Sequence, residues 1–171
     1  MSHRLAWLAL TLSLLPTITT AQPAFQVADL GKRLGDSFSS PLYAFTPPTQ
    51  AGGRVFFGFF DETRGIELWV SDGSGAGTSP VTDLCPGACS SFPSDLVAVG
   101  PLLYFSANDG DTNILFRTDG TAAGTISVFP PYSALGLKQF LPFAELGGRL
   151  LLLSDNRASG QVELWVSDGT A

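Results

Sequence analysis

The chain has 171 residues, and its 15 acidic residues against 9 Lys and Arg give a net charge of −6. That balance repels phosphate backbones and anionic lipid, which argues against nucleic-acid and membrane-surface partners. The single histidine, His3, lies in a segment that we predict to be removed on export. A mature chain without histidine excludes a Ser-His-Asp triad and a histidine metal site.

Residues 1–21 have the pattern of a secretory signal peptide. A polar, cationic start precedes an apolar run at residues 5–15, and Pro16 and three small residues follow before a cleavage site at Gln22. A membrane anchor would need about 20 apolar residues, and this run has about half that number. We therefore expect a secreted, periplasmic or cell-surface protein whose mature part, residues 22–171, forms one domain without inserting into a membrane.

One motif occurs three times in that domain. Residues 67–74 read ELWVSDGS, residues 163–170 read ELWVSDGT, and residues 114–121 form a degraded copy, ILFRTDGT. The copies lie about 48 residues apart, a period that indicates stacked structural units. The motif positions for which we predict a structural role are Glu67, Leu68, Trp69, Asp72, Gly73, Leu115, Phe116, Asp119, Gly120, Glu163, Leu164, Trp165, Asp168 and Gly169.

Between the motifs, each unit contains four short apolar runs. In the second unit these are residues 78–82, 96–99, 102–107 and 114–118, and Gly, Pro, Asp and Asn separate them. Such runs predict a four-stranded antiparallel unit and an all-β fold. The nearest helical pattern, at residues 135–146, is interrupted by a proline. The same succession of runs places three units at about residues 25–73, 78–120 and 125–169.

The three Asp-Gly pairs are candidates for either turns or catalysis. Asp72, Asp119 and Asp168 each precede a glycine, which supplies the positive φ that a tight turn requires. Carboxylates placed one per unit are also too far apart to act as a catalytic pair. Turn formation is therefore the interpretation that we favour.

These motifs resemble the ELWxxDGT repeat family of exported bacterial proteins. The first and third copies match at ELW and at the Asp-Gly pair, whereas the second has Ile114 for Glu and Phe116 for Trp. The resemblance extends over essentially the whole chain after the signal peptide. It implies an array of β-propeller-like blades, and it brings neither catalytic residues nor a cofactor.

Three blades pose a counting problem, because closed propellers typically have about 4–8. The sequence also stops at Ala171, directly after the third motif. We expect the chain to be part of a longer repeat protein. The alternatives are an incomplete stack of sheets and closure by association with other chains.

Cys85 and Cys89 are the only cysteines. In an oxidising compartment they favour a disulfide that closes a five-residue ring. Catalytic redox chemistry is less favoured because the spacing is not Cys-x-x-Cys. A zinc site would lack half of its ligands.

The loop at residues 108–113 (NDGDTN) is a candidate calcium site, with Asp109, Asp111 and Asn113 as the ligands. The match to a calcium loop then fails, since Ile114 and Gly120 stand where a glycine and a bidentate glutamate are required. A polar hairpin loop is the alternative that turn chemistry favours.

We therefore expect a non-catalytic, exported repeat protein that acts as a structural or binding scaffold without a cofactor. Repeat frameworks usually place function on loops, so the ligand, a protein or a carbohydrate, would bind at the loop ends. One alternative is the N-terminal fragment of a larger propeller-containing enzyme. The other is a calcium-dependent adhesion module.

Overall fold

The computed structural model describes residues 46–128, 137–156 and 160–168. The predicted signal peptide and cleavage site and the start of the first unit at residues 25–45 lie outside these ranges, as does Gly169 in the third motif. Within the described ranges the elements are all β-strands, which confirms the all-β prediction.

The strands form antiparallel sheets in which sequence neighbours pair. The first sheet contains β1 (Thr49–Ala51), β2 (Arg54–Asp61), β3 (Gly65–Ser71) and β4 (Ser79–Pro80). The second contains β5 (Ser94–Val99), β6 (Leu102–Asn108), β7 (Asn113–Thr118) and β8 (Ile126–Ser127). The third has three described strands, β9 (Leu137–Leu146), β10 (Arg149–Asn156) and β11 (Val162–Ser167), in the order β11-β10-β9.

The sheets are offset by one strand from the units of the sequence. Residues 78–82 open the second unit, yet β4 pairs with β3 of the first sheet, with Val70 opposite Ser79. In the same way β8, from the start of the third unit, pairs with β7. The reason is local, because a short turn returns the chain to the adjacent edge of the strand it has just left. Each of these two sheets therefore takes its fourth strand from the next unit.

The segment at residues 135–146, with its interrupted helical pattern, contributes the strand β9. Its pairing with β10 shifts register between Leu151 and Leu152, whose partners are Ala144 and Pro142. Proline has no N–H to donate to a ladder and is tolerated at a bulge or an edge. The irregularity therefore allows Pro142 to remain in a strand.

The three sheets stack face to face in chain order. A core between the first and second sheets contains Phe56, Leu68 and Val70 on one side and Leu103, Phe105 and Phe116 on the other. A second core joins Tyr104 and Leu115 of the second sheet to Leu150 and Leu152 of the third. We call the face of a sheet that is turned toward the next sheet its forward face, and the opposite one its backward face.

The second sheet is buried on both faces, which explains the composition of β6. Leu103 and Phe105 lie on its backward face, whereas Tyr104 lies on its forward face, and all three are almost fully buried. A strand that is covered on both sides shows a continuous apolar run instead of alternation. The run Leu-Leu-Tyr-Phe at residues 102–105 has that character.

Candidate functional site: the repeated turns and the disulfide loop

The Asp-Gly turn after β3 is held by its own side chains. Asp72 Oδ1 accepts hydrogen bonds from the backbone N–H and the hydroxyl of Ser74, at 2.8 and 2.7 Å. The Ser74 hydroxyl accepts the Gly77 N–H at 3.0 Å, and the Thr78 hydroxyl donates to the Ser74 carbonyl at 2.7 Å. Ser71 Oγ lies 2.7 Å from Thr78 Oγ1. One aspartate thus fixes the path from β3 to β4.

The turn after β7 repeats this network atom for atom. Asp119 Oδ1 accepts the N–H and the hydroxyl of Thr121 at 2.9 and 2.7 Å. Gly124 N–H donates to Thr121 Oγ1 at 2.9 Å, and the Thr125 hydroxyl donates to the Thr121 carbonyl at 2.7 Å. The structure therefore places Asp72 and Asp119 in turns rather than in a shared carboxylate site. Asp168 holds the equivalent position, but the residues that would complete its turn lie outside the described ranges.

Each turn depends on a glycine whose role the sequence analysis missed. A Cβ added to Gly77 would lie 2.1 Å from Asp72 Oδ1, and one added to Gly124 would lie 2.1 Å from Asp119 Oδ1. The hydrogen bonds of each turn hold the carboxylate in place, so it cannot easily move aside. The repeated Gly-Thr pairs at residues 77–78 and 124–125 were the available signal.

The turn hydrogen bonds lower the pKa of both aspartates from the ordinary value of 3.8. The Ser74 hydroxyl is the largest cause for Asp72 and the Thr121 hydroxyl for Asp119, and the backbone N–H of the same residue adds to each. A lowered pKa contributes stability above the unfolded value, and that stability is lost as pH falls through the folded value. The turns should therefore loosen in acid.

We expect Asp119→Ala to lower the free energy of unfolding by about 1 kcal/mol, because two hydrogen bonds to Thr121 are lost. Asp119→Asn keeps an acceptor oxygen and should lose less. Urea titration of both variants at neutral pH measures the difference. Equal losses would contradict the acceptor role of Asp119 Oδ1.

Arg54 connects the first sheet to the second turn. Its Nη1 donates to the Asp119 carbonyl at 3.1 Å. A Cβ on Gly120 would lie 2.6 Å from that nitrogen, and Gly120 has a φ of 92° that favours glycine. Gly120 therefore adopts the backbone conformation of the turn and also leaves room for the Arg54 side chain.

The chain between β4 and β5 forms a loop that is closed by the predicted disulfide between Cys85 and Cys89, with 5.3 Å between their Cα atoms. The β6–β7 hairpin packs beside it, since a Cβ on Gly110 would lie 3.7 Å from Cys85 Sγ. The Asn108 N–H also donates to the Ser91 carbonyl at 2.7 Å. The loop is thus held between the first two sheets.

Removing the disulfide with Cys85→Ala and Cys89→Ala together should lower the free energy of unfolding by about 2 kcal/mol, the chain-entropy value for so small a ring. Thermal melting with and without a reductant measures the effect. The reductant should lower the melting temperature of the wild type and leave that of the double variant unchanged. An equal decrease in the melting temperature of the wild type and the double variant would show that the reductant does not act through the disulfide.

Glu67, the first residue of the motif, is fully buried beneath this loop. Its Oε1 accepts the Ser91 N–H at 3.1 Å, and its Oε2 accepts the Leu84 N–H at 3.2 Å and the Ser91 hydroxyl at 2.7 Å. Burial raises the pKa of Glu67 above its ordinary value of 4.5, and the hydrogen bonds from Ser91 and Leu84 oppose that rise. The carboxylate ties the loop to β3.

The second copy of the motif has no such glutamate. Ile114 takes the position of Glu67 and is buried in the core between the first two sheets. An apolar residue at this position of the second sheet adds to that core instead of binding a loop.

The candidate calcium residues lie in the β6–β7 hairpin. Asp109 Oδ1 accepts the Asp111 and Thr112 N–H groups at 3.1 and 3.0 Å, and Asn108 Oδ1 accepts the Gly110 N–H at 2.7 Å. These contacts are those of a polar hairpin turn. In the described part of the chain, no group of three or more His, Cys, Asp or Glu is placed to hold a metal ion.

The equivalent hairpin of the first sheet has the same design. Asp61 accepts hydrogen bonds from the hydroxyl and the N–H of Thr63 and from the N–H of Arg64. The Thr63 hydroxyl is the main cause that lowers the Asp61 pKa, with the Arg64 charge contributing. Arg64 Nη1 lies 3.7 Å from Asp61 Oδ2.

The motif aromatics all lie on backward faces, as their strand register requires. Phe116 stacks on Phe105 with 5.7 Å between ring centroids, and Trp69 meets Phe59 edge-on at 5.3 Å. Trp165 Nε1 donates to Ser154 Oγ at 2.8 Å. In the first sheet, Phe59 takes the position that Ser154 has in the third sheet. The buried Trp69 Nε1 has no hydrogen-bond acceptor among the residues that the structure describes.

Comparisons of the chain with models of known protein families, with curated proteins and with solved structures find no match. Over the residues that the structure describes, no helix has the length and apolar character needed to cross a membrane.

Proposed function

We propose that this chain is an exported, non-catalytic repeat scaffold, similar to ELWxxDGT repeat proteins, whose sheets are propeller-like blades. The observation that carries the proposal is the network built around Asp72 and repeated around Asp119. In both copies the motif's carboxylate is used to shape a turn. A scaffold needs such repeated structural roles, whereas an active site needs one assembly of groups.

The position of Glu67 supports the same function. A buried carboxylate is a common catalytic feature, and its raised pKa alone would suggest one. Here three donors from Leu84 and Ser91 occupy the carboxylate oxygens. Glu67 therefore joins the framework to its loop, and the loops are left to carry a ligand.

We propose a protein or carbohydrate ligand at the loop ends. One end of the stack presents the β2–β3 and β6–β7 hairpins, and the other presents the Asp-Gly turns. A ligand at one end should be sensitive to substitutions there and insensitive to substitutions at the other. Thr112→Ala and Thr121→Ala are single changes in these two places, and the second also removes the hydroxyl that bonds to Asp119 and Gly124 in its turn.

The test offers the exported chain to immobilised cell-wall polysaccharide and, separately, to immobilised envelope protein. We expect retention on one of the two matrices without turnover, with one of the threonine variants weakened and the other unchanged. Hydrolysis of the offered polymer would overturn the scaffold function in favour of an enzyme. Retention that requires calcium and is lost in Asp111→Ala would overturn it in favour of an adhesion module.

Export itself is tested by the intact mass of the protein recovered from culture. We expect an N-terminus at Gln22 and recovery from the medium, the periplasm or the cell surface. A protein that is retained in the cytoplasm with its first 21 residues would contradict the signal peptide at residues 1–21.

A further inference from the structure

Phe92 is an aromatic residue that the fold holds out in solvent. It is 58% exposed, whereas the other aromatic rings in residues 46–128 are buried or half-buried. The residue before it, Ser91, is fully buried and bonds to Glu67. The residue after it, Pro93, is also fully buried, and a Cβ added to Gly58 would lie 3.3 Å from its Cγ. With both neighbours anchored in the framework, the Phe92 ring stays outside it.

The fold gains little from a phenylalanine at this position. Phe92 has a φ of 47°, a left-handed conformation that glycine, asparagine and aspartate adopt more readily than an aromatic residue does. A ring that is mostly in water also contributes little through burial. Backbone strain of this kind is concentrated at ligand-binding and active sites. A strained and exposed aromatic residue therefore indicates a role in binding.

Asp95 belongs to the same short segment. In the described ranges, Asp95, with a φ of 54°, and Phe92 are the non-glycine residues whose φ is positive. The pairing of β5 with β6 shifts register between Ser94 and Val97, and such a bulge re-aims the side chains around it. The Asp95 side chain is exposed, and its Oδ2 accepts the Ser94 hydroxyl at 2.8 Å. One segment thus presents an aromatic ring and a carboxylate to solvent.

This segment lies on a rigid base. It is at the end of the stack that carries the β2–β3 and β6–β7 hairpins, which we call the hairpin end. The Ser91 carbonyl accepts the Asn108 N–H at 2.7 Å, beside one hairpin, and the Ser90 hydroxyl accepts the Ile66 N–H at 2.9 Å, beside the other. The disulfide closes the loop that leads into the segment. A surface that is ordered in advance loses less conformational entropy when it binds a partner.

The hairpin end is acidic. Residues 61–65, 85–95 and 108–113 together contain five acidic residues and one arginine, a net charge of −4. The arginine, Arg64, lies 3.7 Å from Asp61 and pairs within its own hairpin. Such a charge attracts cationic partners, and the face of an aromatic ring binds a cation as well. The charge and the ring therefore favour the same class of ligand.

We propose that Phe92 anchors a cationic segment of a partner protein, with an arginine or lysine side chain over the ring and Asp95 as a counter-charge. Arginine suits this place because its planar guanidinium stacks on aromatic faces. An aromatic residue in a rigid surface commonly contributes a large share of the binding energy of an interface. The inference rests on the proposed binding function of the loops, and it specifies the end of the stack, the residue and the ligand class.

The test measures binding of a fluorescently labelled arginine–serine peptide to the exported full chain by fluorescence anisotropy, with a glutamate–serine peptide as the negative probe. We expect the arginine peptide alone to bind, and to bind more weakly as salt is added, because exposed charges are screened. Phe92→Ala should raise the Kd by roughly 3- to 30-fold, the range for an exposed to a desolvated cation–π contact. Phe92→Leu should lose nearly as much, because it is apolar but has no aromatic face.

Asp95→Asn removes a charge and keeps a residue type that tolerates a positive φ. It should weaken binding a few-fold at low salt and less at high salt. Leu146→Ala is the control, since Leu146 is 66% exposed and pairs with Arg149 at the opposite end of the stack. This variant should bind as the wild type does. All these side chains are exposed, so far-ultraviolet circular dichroism should show an intact fold.

Equal binding by the wild type and Phe92→Ala would overturn the proposal, because the peptide would then respond to charge alone. Wild-type affinity in Phe92→Leu would overturn the cation–π contact. A wild type that does not bind the arginine peptide would also overturn the proposal. The scaffold function would survive that result, because retention on the polysaccharide or envelope-protein matrix tests it separately. Retention on an uncharged polysaccharide that is lost in Phe92→Ala would assign the ring to a sugar instead of a cationic segment.

Discussion

Phe105→Ala should lower the free energy of unfolding by about 3–5 kcal/mol, the range for deleting a buried aromatic ring. The Phe105 side chain has no solvent exposure and stacks on Phe116 in the core between the first two sheets. Because the free energy of unfolding of small domains is only about 5–15 kcal/mol, a loss of this size removes much of it. Chemical denaturation followed by tryptophan fluorescence measures it.

Phe92→Ala is the control for this experiment. It removes the same atoms from a side chain that is 58% exposed, and both residue types face the same positive φ at that position. We expect a change within about 0.5 kcal/mol. Similar losses at both positions would show that the core between the first two sheets is not what holds them together.

Glu67→Ala should lower the free energy of unfolding by about 3 kcal/mol. The change leaves the Leu84 N–H without its acceptor, removes two further hydrogen bonds from Ser91 and opens a cavity under the disulfide loop. Glu67→Gln keeps the shape and one acceptor oxygen, so it should lose about 1 kcal/mol. Equal losses in the two variants would show that the loss of one carboxylate oxygen accounts for the whole effect and that the cavity adds nothing.

The Glu67 variants also have a predicted pH dependence. A raised folded-state pKa contributes stability below the unfolded value of 4.5, and this stability is lost as pH rises through the folded pKa. The advantage of the wild type over Glu67→Gln should therefore be larger at pH 4 than at pH 8. Asp119→Asn should show the opposite trend, because the Asp119 pKa is lowered. Parallel stability profiles for the wild type and Glu67→Gln would contradict the burial of the Glu67 charge.

The strands and their antiparallel pairing could be predicted because both depend on local sequence. Apolar runs separated by glycine, proline and aspartate determine where strands end, and Asp72 and Asp119 determine the turns between them. The disulfide was predictable for a similar reason, since Cys85 and Cys89 lie close together in the chain.

A structural role was predicted for Glu67, but its hydrogen-bond partners could not be predicted, because they are distant in the sequence. Its partner Ser91 is 24 residues away and reaches it only after β4 has paired with β3. The offset of the sheets from the sequence units has the same origin. A repeat in the sequence shows how often a structural unit recurs. It does not show at which residue one sheet ends and the next begins.

That one-strand offset bears on how such an array can grow by duplication of its coding segment. A copied unit of about 48 residues would bring its first strand to the sheet before it and leave its own sheet to be finished by the unit that follows. Each insertion would thus be joined to its neighbours by shared strands as well as by a linker. The duplicated sequence unit and the folded sheet therefore cover different stretches of the chain. Recombination at the boundary of the sequence unit would still supply each sheet with all of its strands.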